Sequence, residues 1–228
     1  KYIDNNYDVY DELEKFLLSK KCSVSGWGHP FHHQFPTPFK KLKINNWSTF
    51  LIDLSLSKFE IYQNIDKHSG RKNIERSEKR GVKIEEINEN NLIDYVNLVN
   101  DERKLEKREF LDYDYMLKSW RACKKYGYSG FIARKDEIPI GGLLFSYVNG
   151  HIIEGGVARS LIDKKDNLYS QDLIKWNIIK WGIENKMKFY NLAGFNPHPE
   201  LNKEKGIFRY KKKWGGNQYD YWRMQTKF

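Results

Sequence analysis

Near the C-terminal end of the sequence, Tyr210 is followed by Lys211, Lys212 and Lys213, then by Trp214-Gly215. An ammonium held in a water-poor site stabilises the tetrahedral oxyanion that forms when an amine attacks an ester or thioester. Three consecutive lysines on a helix cannot all point inward, so one or two at most take part and the rest solvate a helix face. Tyr210 is either a second donor to the same oxyanion or a packed aromatic. Further back, Ser69-Gly70 breaks a helical pattern that resumes at Arg71-Lys72. Free backbone N–H groups and the positive dipole end make such a helix start an anion site, and tandem bases add charge-assisted bonds to phosphate. The other reading of Arg71 and Lys72 is a solvent-exposed turn. Gly194-Phe195-Asn196 stand before Pro197, where a glycine allows either close backbone approach to a substrate or a plain strand-to-loop turn. Glu154, after Ile152-Ile153, is a candidate general base. Alternation does not fix its face, and a surface carboxylate is the plainer reading. His29, His32 and His33 form H-x-x-H-H in a proline-rich loop. That is a weak metal pattern, since metal ligands sit on more rigid elements beside a carboxylate or cysteine; loop packing is the default and no metal is expected.

These residues sit in a basic, aromatic-rich chain. It has 228 residues, room for one domain of roughly 180 residues with an N-terminal extension. The hydrophobic fraction is only 39%, but 15% of the residues are aromatic, enough to build a core and to exclude disorder. The formal net charge of +10 is concentrated. Residues 67–83 carry seven basic side chains against Glu75 and Glu78, a net of +5, and residues 201–228 carry eight against Glu204 and Asp220, a net of +6. Charge in two patches points to a polyanionic partner or ligand, the alternative being two solvated helix faces. Cys22 and Cys123 form neither a disulfide framework nor a zinc spacing, so a reducing compartment, the cytoplasm, is expected. No apolar run is long enough to span a membrane.

The elements that must position the chemistry follow from periodicity. Residues 7–20 form an amphipathic helix with Leu13, Phe16 and Leu17 on one face, followed by a short strand over 21–25 and a Gly/Pro-rich connector over 26–46. Residues 49–54 form an apolar strand, and Ser57-Lys58-Phe59-Glu60 is a capping box that starts a helix. Gly81 ends the basic helix, and 82–87 is a strand. Two helices (90–106, 112–126) lead to three strands (130–134, 138–148, 152–157), the last two joined by an Asn149-Gly150 hairpin turn. A long helix over 168–185, with Ile174, Ile178 and Trp181 on one stripe, leads to a buried strand at 188–192. A helix at 200–213 and a strand at 219–224 follow.

The order from residue 82, β-α-α-β-β-β-α-β-α-β, resembles the GNAT acyltransferase superfamily. That implies an α/β fold with a mixed sheet, an antiparallel meander and flanking helices. Two stretches narrow the resemblance. Residues 49–84 look like the start of the second GNAT module of the Fem (FemAB-like) peptidoglycan-bridge aminoacyltransferases, matching at Arg71, Asn73, Ile74, Lys79, Gly81 and Val82. Residues 188–216 resemble the family's C-terminal motif, a strand ending in Asp-x-x-Gly, then Gly-hydrophobic, then Phe-Lys-x-x-Phe-Gly. Here Asn191-Leu192-Ala193-Gly194, Gly206-Ile207 and Tyr210-Lys211-Lys212-Lys213-Trp214-Gly215 stand in those places, with Asn191 for the aspartate and Tyr210 for the phenylalanine. The likeness covers about residues 47–228, with 1–46 an extension or the remnant of a first GNAT subdomain.

The resemblance implies a role for Lys211 at the reacting carbonyl, with Tyr210 beside it, and substrate contacts from Arg71, Lys72, Gly194 and Asn196. It also implies substrate phosphate contacts from an arginine segment at Arg103 and Arg108, although surface pairing with Glu102, Glu106 and Glu109 explains those two better. Acetyl-CoA-dependent GNATs carry a glycine-rich pyrophosphate loop before the long helix, and residues 160–170 here contain no glycine. Like the Fem family, the chain is therefore expected to take its donor from aminoacyl-tRNA, with no cofactor of its own, and to act on a phosphate-bearing envelope precursor. Two alternatives remain open: acyl-CoA as donor with an amino sugar as acceptor, and a non-enzymatic RNA-binding module that uses the basic patches and exposed aromatics.

Overall fold

The computed structural model describes residues 7–20, 23–31 and 39–226. Cys22, His32 and His33 lie outside them. The chain divides into a larger unit, residues 51–193 with 212–216, and a smaller one, residues 1–50, 194–211 and 217–228.

The larger unit begins with the end of strand β2 (Lys43–Asp53). Helix α2 (Lys58–Asn64) follows and starts where the capping box requires: the Glu60 amide donates to the Ser57 hydroxyl and the Ser57 amide to the Glu60 carboxylate. A π-helical turn (Lys67–Arg71) runs directly into α3 (Lys72–Lys79). Strand β3 (Lys83–Glu86), helices α4 (Leu92–Leu105) and α5 (Tyr113–Lys124), and the meander β4 (Tyr128–Lys135), β5 (Ile138–Val148), β6 (His151–Arg159) come next. Short α6 (Leu161–Lys165), long α7 (Ser170–Glu184) and β7 (Phe189–Asn191) complete it. The hydrogen-bonded order here is β2-β7-β6-β5-β4-β3. Every pair is antiparallel except β6 and β7, which run parallel. This is the expected α/β mixed sheet with an antiparallel meander. Asn149 and Gly150 both have positive φ, the type I′ geometry that suits a two-residue hairpin.

The meander is covered on both faces, which explains why its residues read as a continuous apolar run rather than an alternation. Ile132, Leu144 and Ala158 pack with Tyr95, Val96 and Trp120 of α4 and α5. Phe145 turns the other way and meets Trp181 of α7. Helix α7 is buried on nearly every side, including Gln171, Asp172 and Lys175, so the single apolar stripe expected for it gives way to a fully enclosed helix.

In the smaller unit, helix α1 (Tyr7–Ser19), β1 (Ser25–Trp27), the first part of β2, most of α8 (Asn202–Lys212) and β8 (Asn217–Gln225) come together in the strand order β1-β8-β2. Its core is Phe39, Leu42 and Trp222, with Tyr10, Leu17, Leu18, Ile44 and Met224 packed around them. The stretch read as connector thus contains the start of a strand, β2 beginning at Lys43; β1 lies at Ser25–Trp27, and residues 21 and 22 of the strand expected over 21–25 lie outside the described residues. Both shifts come from pairing with β8, a strand far along the sequence that a local pattern does not reveal.

Candidate active site

In the smaller unit, Lys211 lies half-buried on α8, and its Nζ donates to the Gly194 carbonyl at 3.0 Å. Gly194 is packed so closely that a Cβ there would run into the Trp47 indole nitrogen and the Tyr221 hydroxyl. That close approach is the reason for glycine at this position. Phe195 stacks on Phe50 with centroids 5.0 Å apart, and Phe208 of α8 meets both rings. These rings fix α8 against the segment that follows Gly194. Tyr210 is half-buried. Asn196 is committed locally: its amide nitrogen donates to Glu204 at 3.3 Å, and its Oδ1 accepts from the His198 amide at 3.0 Å. Lys211, Gly194 and Asn196 therefore belong to one neighbourhood.

Arg71 and Lys72 lie in the larger unit, and their setting differs from the expected helix start. The break comes earlier, at Ile65-Asp66. Asp66 accepts from the amides of His68 and Ser69 with its carboxylate and from those of Gly70 and Arg71 with its carbonyl. The backbone donors expected to greet an anion at Arg71 are thus taken by Asp66. The Ser69 hydroxyl and amide hold the Asp66 carboxyl below its usual value. The Arg71 guanidinium donates to Gln63 at 2.6 Å, while Lys72 is exposed. Arg103 donates to the Glu109 carbonyl at 2.9 Å and Arg108 pairs with Glu106 at 2.7 Å, so both are engaged at the end of α4.

Residues 49–84 and 188–216 do meet, through Lys213. The Lys213 Nζ, nine-tenths buried, lies 2.6 Å from an Asp172 oxygen and donates to the Ser69 carbonyl at 2.9 Å. Asn73 donates to the other Asp172 oxygen at 2.9 Å and to Ser69 at 2.7 Å. Burial lowers the Lys213 pKa, and Asp172 works against that shift. The signal available in the sequence was the Arg-x-Asn-Ile segment itself, with its polar Asn73 between charged neighbours.

Glu154 is not a surface carboxylate. Its side chain is 7% exposed, paired with Lys175 of α7, and accepts from the Tyr190 hydroxyl at 3.1 Å. It stands where β6 and β7 part: their pairing ends at Ile153 with Asn191. Beyond it the β5–β6 register shifts, and Gly155, Gly156 and Val157 are exposed. The Asn191 Oδ1 accepts from the Ala193 amide at 2.9 Å just past the end of β7.

Helix α7 begins at Ser170, next to the end of short α6. Here Asp163, fully buried, accepts from the Ser170 amide at 2.9 Å and pairs with Arg159. The Ser170 amide is thus taken by the protein's own carboxylate. Arg80 donates to the carbonyls of Asp166 and Asn167 just before it. The described residues contain no group of three or more His, Cys, Asp or Glu able to hold a metal ion. They contain no helix long and apolar enough to cross a membrane.

No family model matches the chain, and no curated protein sequence matches it. Solved structures do. The crystal structure of FemX superposes with a TM-score of 0.69 at 11% identity, covering 98% of this chain and 77% of FemX. The C-terminal domain of a putative lysylphosphatidylglycerol synthetase from Agrobacterium fabrum matches with a TM-score of 0.56 at 12% identity. L-PGS from Bacillus licheniformis matches with a TM-score of 0.55 at 14% identity. In both of these the match covers 82% of this chain and 62% of the other. The chain shares its fold with FemX and with these synthetase domains.

Proposed function

We propose that the chain is a Fem-like N-acyltransferase. It moves an aminoacyl or acyl group onto an amine of a cell-envelope precursor, a peptidoglycan peptide or related glycoconjugate, in the cytoplasm. The acceptor amine attacks the donor's carbonyl carbon directly. A C–N bond forms, the bond to the donor's leaving oxygen breaks, and the amine proton ends on the released hydroxyl; no covalent enzyme intermediate is involved. The observation that carries this reading is Lys211. Its ammonium donates to the Gly194 carbonyl, beside a glycine with no room for a Cβ, and an ammonium held there can stabilise a developing oxyanion. The carboxylate of Asp163 at the start of α7 supports a donor without a coenzyme pyrophosphate, and the basic segment 67–83 suits the phosphates of a tRNA carrier.

Transfer assays with aminoacyl-tRNA and an amine-bearing precursor test the reading. Lys211→Ala is expected to lose transfer while retaining its fold; full activity in that variant sinks the role. Calorimetry with acetyl-CoA is expected to show no binding, and saturable micromolar binding overturns the donor assignment.

A further inference from the structure

Three side chains from three elements of the smaller unit come together at Gly194. Ser48 and Phe195 exchange backbone hydrogen bonds at 3.0 and 2.7 Å, which sets Gly194 alongside Trp47 of β2. Strand β8 is a neighbour of β2, and alternation puts its Tyr221 and Arg223 on one face. A Cβ on Gly194 would lie 1.9 Å from the Trp47 Nε1 and 2.4 Å from the Tyr221 hydroxyl, so both polar atoms press on the glycine. Lys211 of α8 reaches the same residue at its carbonyl, at 3.0 Å. An indole N–H, a phenol O–H and an ammonium, each able to donate, thus gather at one residue.

Stability does not account for this gathering. Tyr221 is 6% exposed, and its hydroxyl has no hydrogen-bond partner among the described residues. An unpaired buried hydroxyl costs free energy that a phenylalanine of the same shape would avoid. The Trp47 N–H is equally without an acceptor among those residues. The setting is also electropositive. Arg223, opposite Trp27 of β1 in register, holds its guanidinium carbon 5.5 Å from the Trp47 ring centroid. Alternation places Lys43 and Asn45 of β2 and Tyr219 of β8 on this face as well, and none of them is acidic. Asp220 points to the opposite face, where Ser48 and Gln218 hold it. Glu204 of α8 is held by Asn196 and by the amides of Glu200 and Leu201. Burial pushes the Tyr221 phenol up against the opposing pull of Arg223, so it stays protonated and serves as a donor rather than a base. Donors without acceptors in a positive field suit negative charge that develops on a substrate.

We propose that the Tyr221 hydroxyl and the Trp47 indole N–H act with Lys211 as donors to the oxyanion of the acyl-transfer reaction. The proposal rests on the Lys211 reading and adds a catalytic residue, Tyr221, from a strand that neither sequence motif contains. As the acceptor amine adds to the carbonyl carbon, a C–N bond forms and the carbon–oxygen π pair moves onto the oxygen. The three donors share that charge. When the π bond re-forms, the bond to the leaving oxygen breaks, and the proton the amine gives up ends on that oxygen. Tyr221 keeps its own proton throughout. Gly194 belongs to the device, because any side chain there would push the indole and the phenol from their places.

Transfer kinetics and NMR on the full chain test this. Tyr221→Phe removes one oxygen and is expected to lower kcat about a hundredfold with KM unchanged. Its thermal midpoint should equal or exceed that of wild type, because an unpaired hydroxyl is gone. A hydroxyl kept for structure would give the opposite pattern, an unaltered kcat and a lower midpoint, and that result overturns the proposal. A second readout needs no turnover. The Trp47 indole N–H resonance, assigned by its disappearance in Trp47→Phe, is followed during titration with aminomethylphosphonate, a tetrahedral anion. A saturable downfield shift is expected, with affinity about tenfold weaker in Tyr221→Phe. An unmoved resonance, equal affinity in the variant, or equally tight binding of inorganic phosphate overturns the proposal. The two readouts also separate it from the reading beneath it. Full kcat in Tyr221→Phe, in a transfer that still needs Lys211, removes the added donors and leaves the Lys211 role. A Tyr221-dependent phosphonate shift in a chain that transfers nothing removes the reaction and leaves the donor cluster.

Discussion

Lys211 and Lys213 are two residues apart at the end of α8, and their surroundings are opposite in kind. Lys213 is closed in by a carboxylate at 2.6 Å and a carbonyl at 2.9 Å. Lys211 rests on the carbonyl of Gly194 at 3.0 Å. A lysine tied to a buried carboxylate holds elements together, because removing it strands a charge. A lysine positioned in a water-poor site can stabilise an oxyanion that develops beside it. Two side chains of one type in one motif thus have different neighbours, and on the proposed function one anchors while the other acts at the reacting carbonyl.

The contrast can be broken by substitution. Lys213→Ala is expected to cost about 3–5 kcal/mol in urea unfolding, since Asp172 stays buried without its cation. The pair Lys213→Met with Asp172→Leu should recover most of that, and a loss as large as the single variant's would show that the clasp does more than neutralise charge. Lys211→Ala is expected to lower kcat roughly a hundredfold. Its unfolding free energy should stay within about 0.5 kcal/mol of wild type. A stability loss equal to that of Lys213→Ala would erase the distinction between the two lysines. Asn73→Ala removes the amide that holds Asp172 in place and should cost about 1–2 kcal/mol. Its effect should shrink in the Lys213→Ala background, because the two act on one carboxylate. The smallest effect concerns pH. The folded-state pKa of Asp66 is lowered, so its contribution is fully present above the unfolded value near pH 4 and fades as pH falls below it. Hydrogen exchange of the 67–71 amides should therefore quicken in acid, and Asp66→Asn should flatten that dependence.

Local chemistry made much of this fold legible. Ser57 and Glu60 announce the start of α2, Asn149-Gly150 the hairpin, and the run of β-rich segments from residue 128 the meander. Motif spacing singled out Tyr210-Lys211 and Gly194 as candidates, and the structure brings Lys211 to Gly194. What stayed hidden depends on distant partners. Glu154 reads as a surface acid until Lys175 and Tyr190 close over it. Ser69-Gly70 reads as a break, yet the π-helical turn passes through it because Asp66 caps four amides. Trp27 and Arg223 are nearly 200 positions apart in the sequence, and only strand pairing makes them neighbours.

That pairing has a consequence for how the molecule is made. Ser25–Trp27 bond to Arg223–Gln225, so a segment that leaves the ribosome early must wait for one synthesised much later. The meander and its helices pair mainly with near neighbours and can assemble while synthesis continues. The face bearing Trp27 and Arg223 forms only once both strands have emerged.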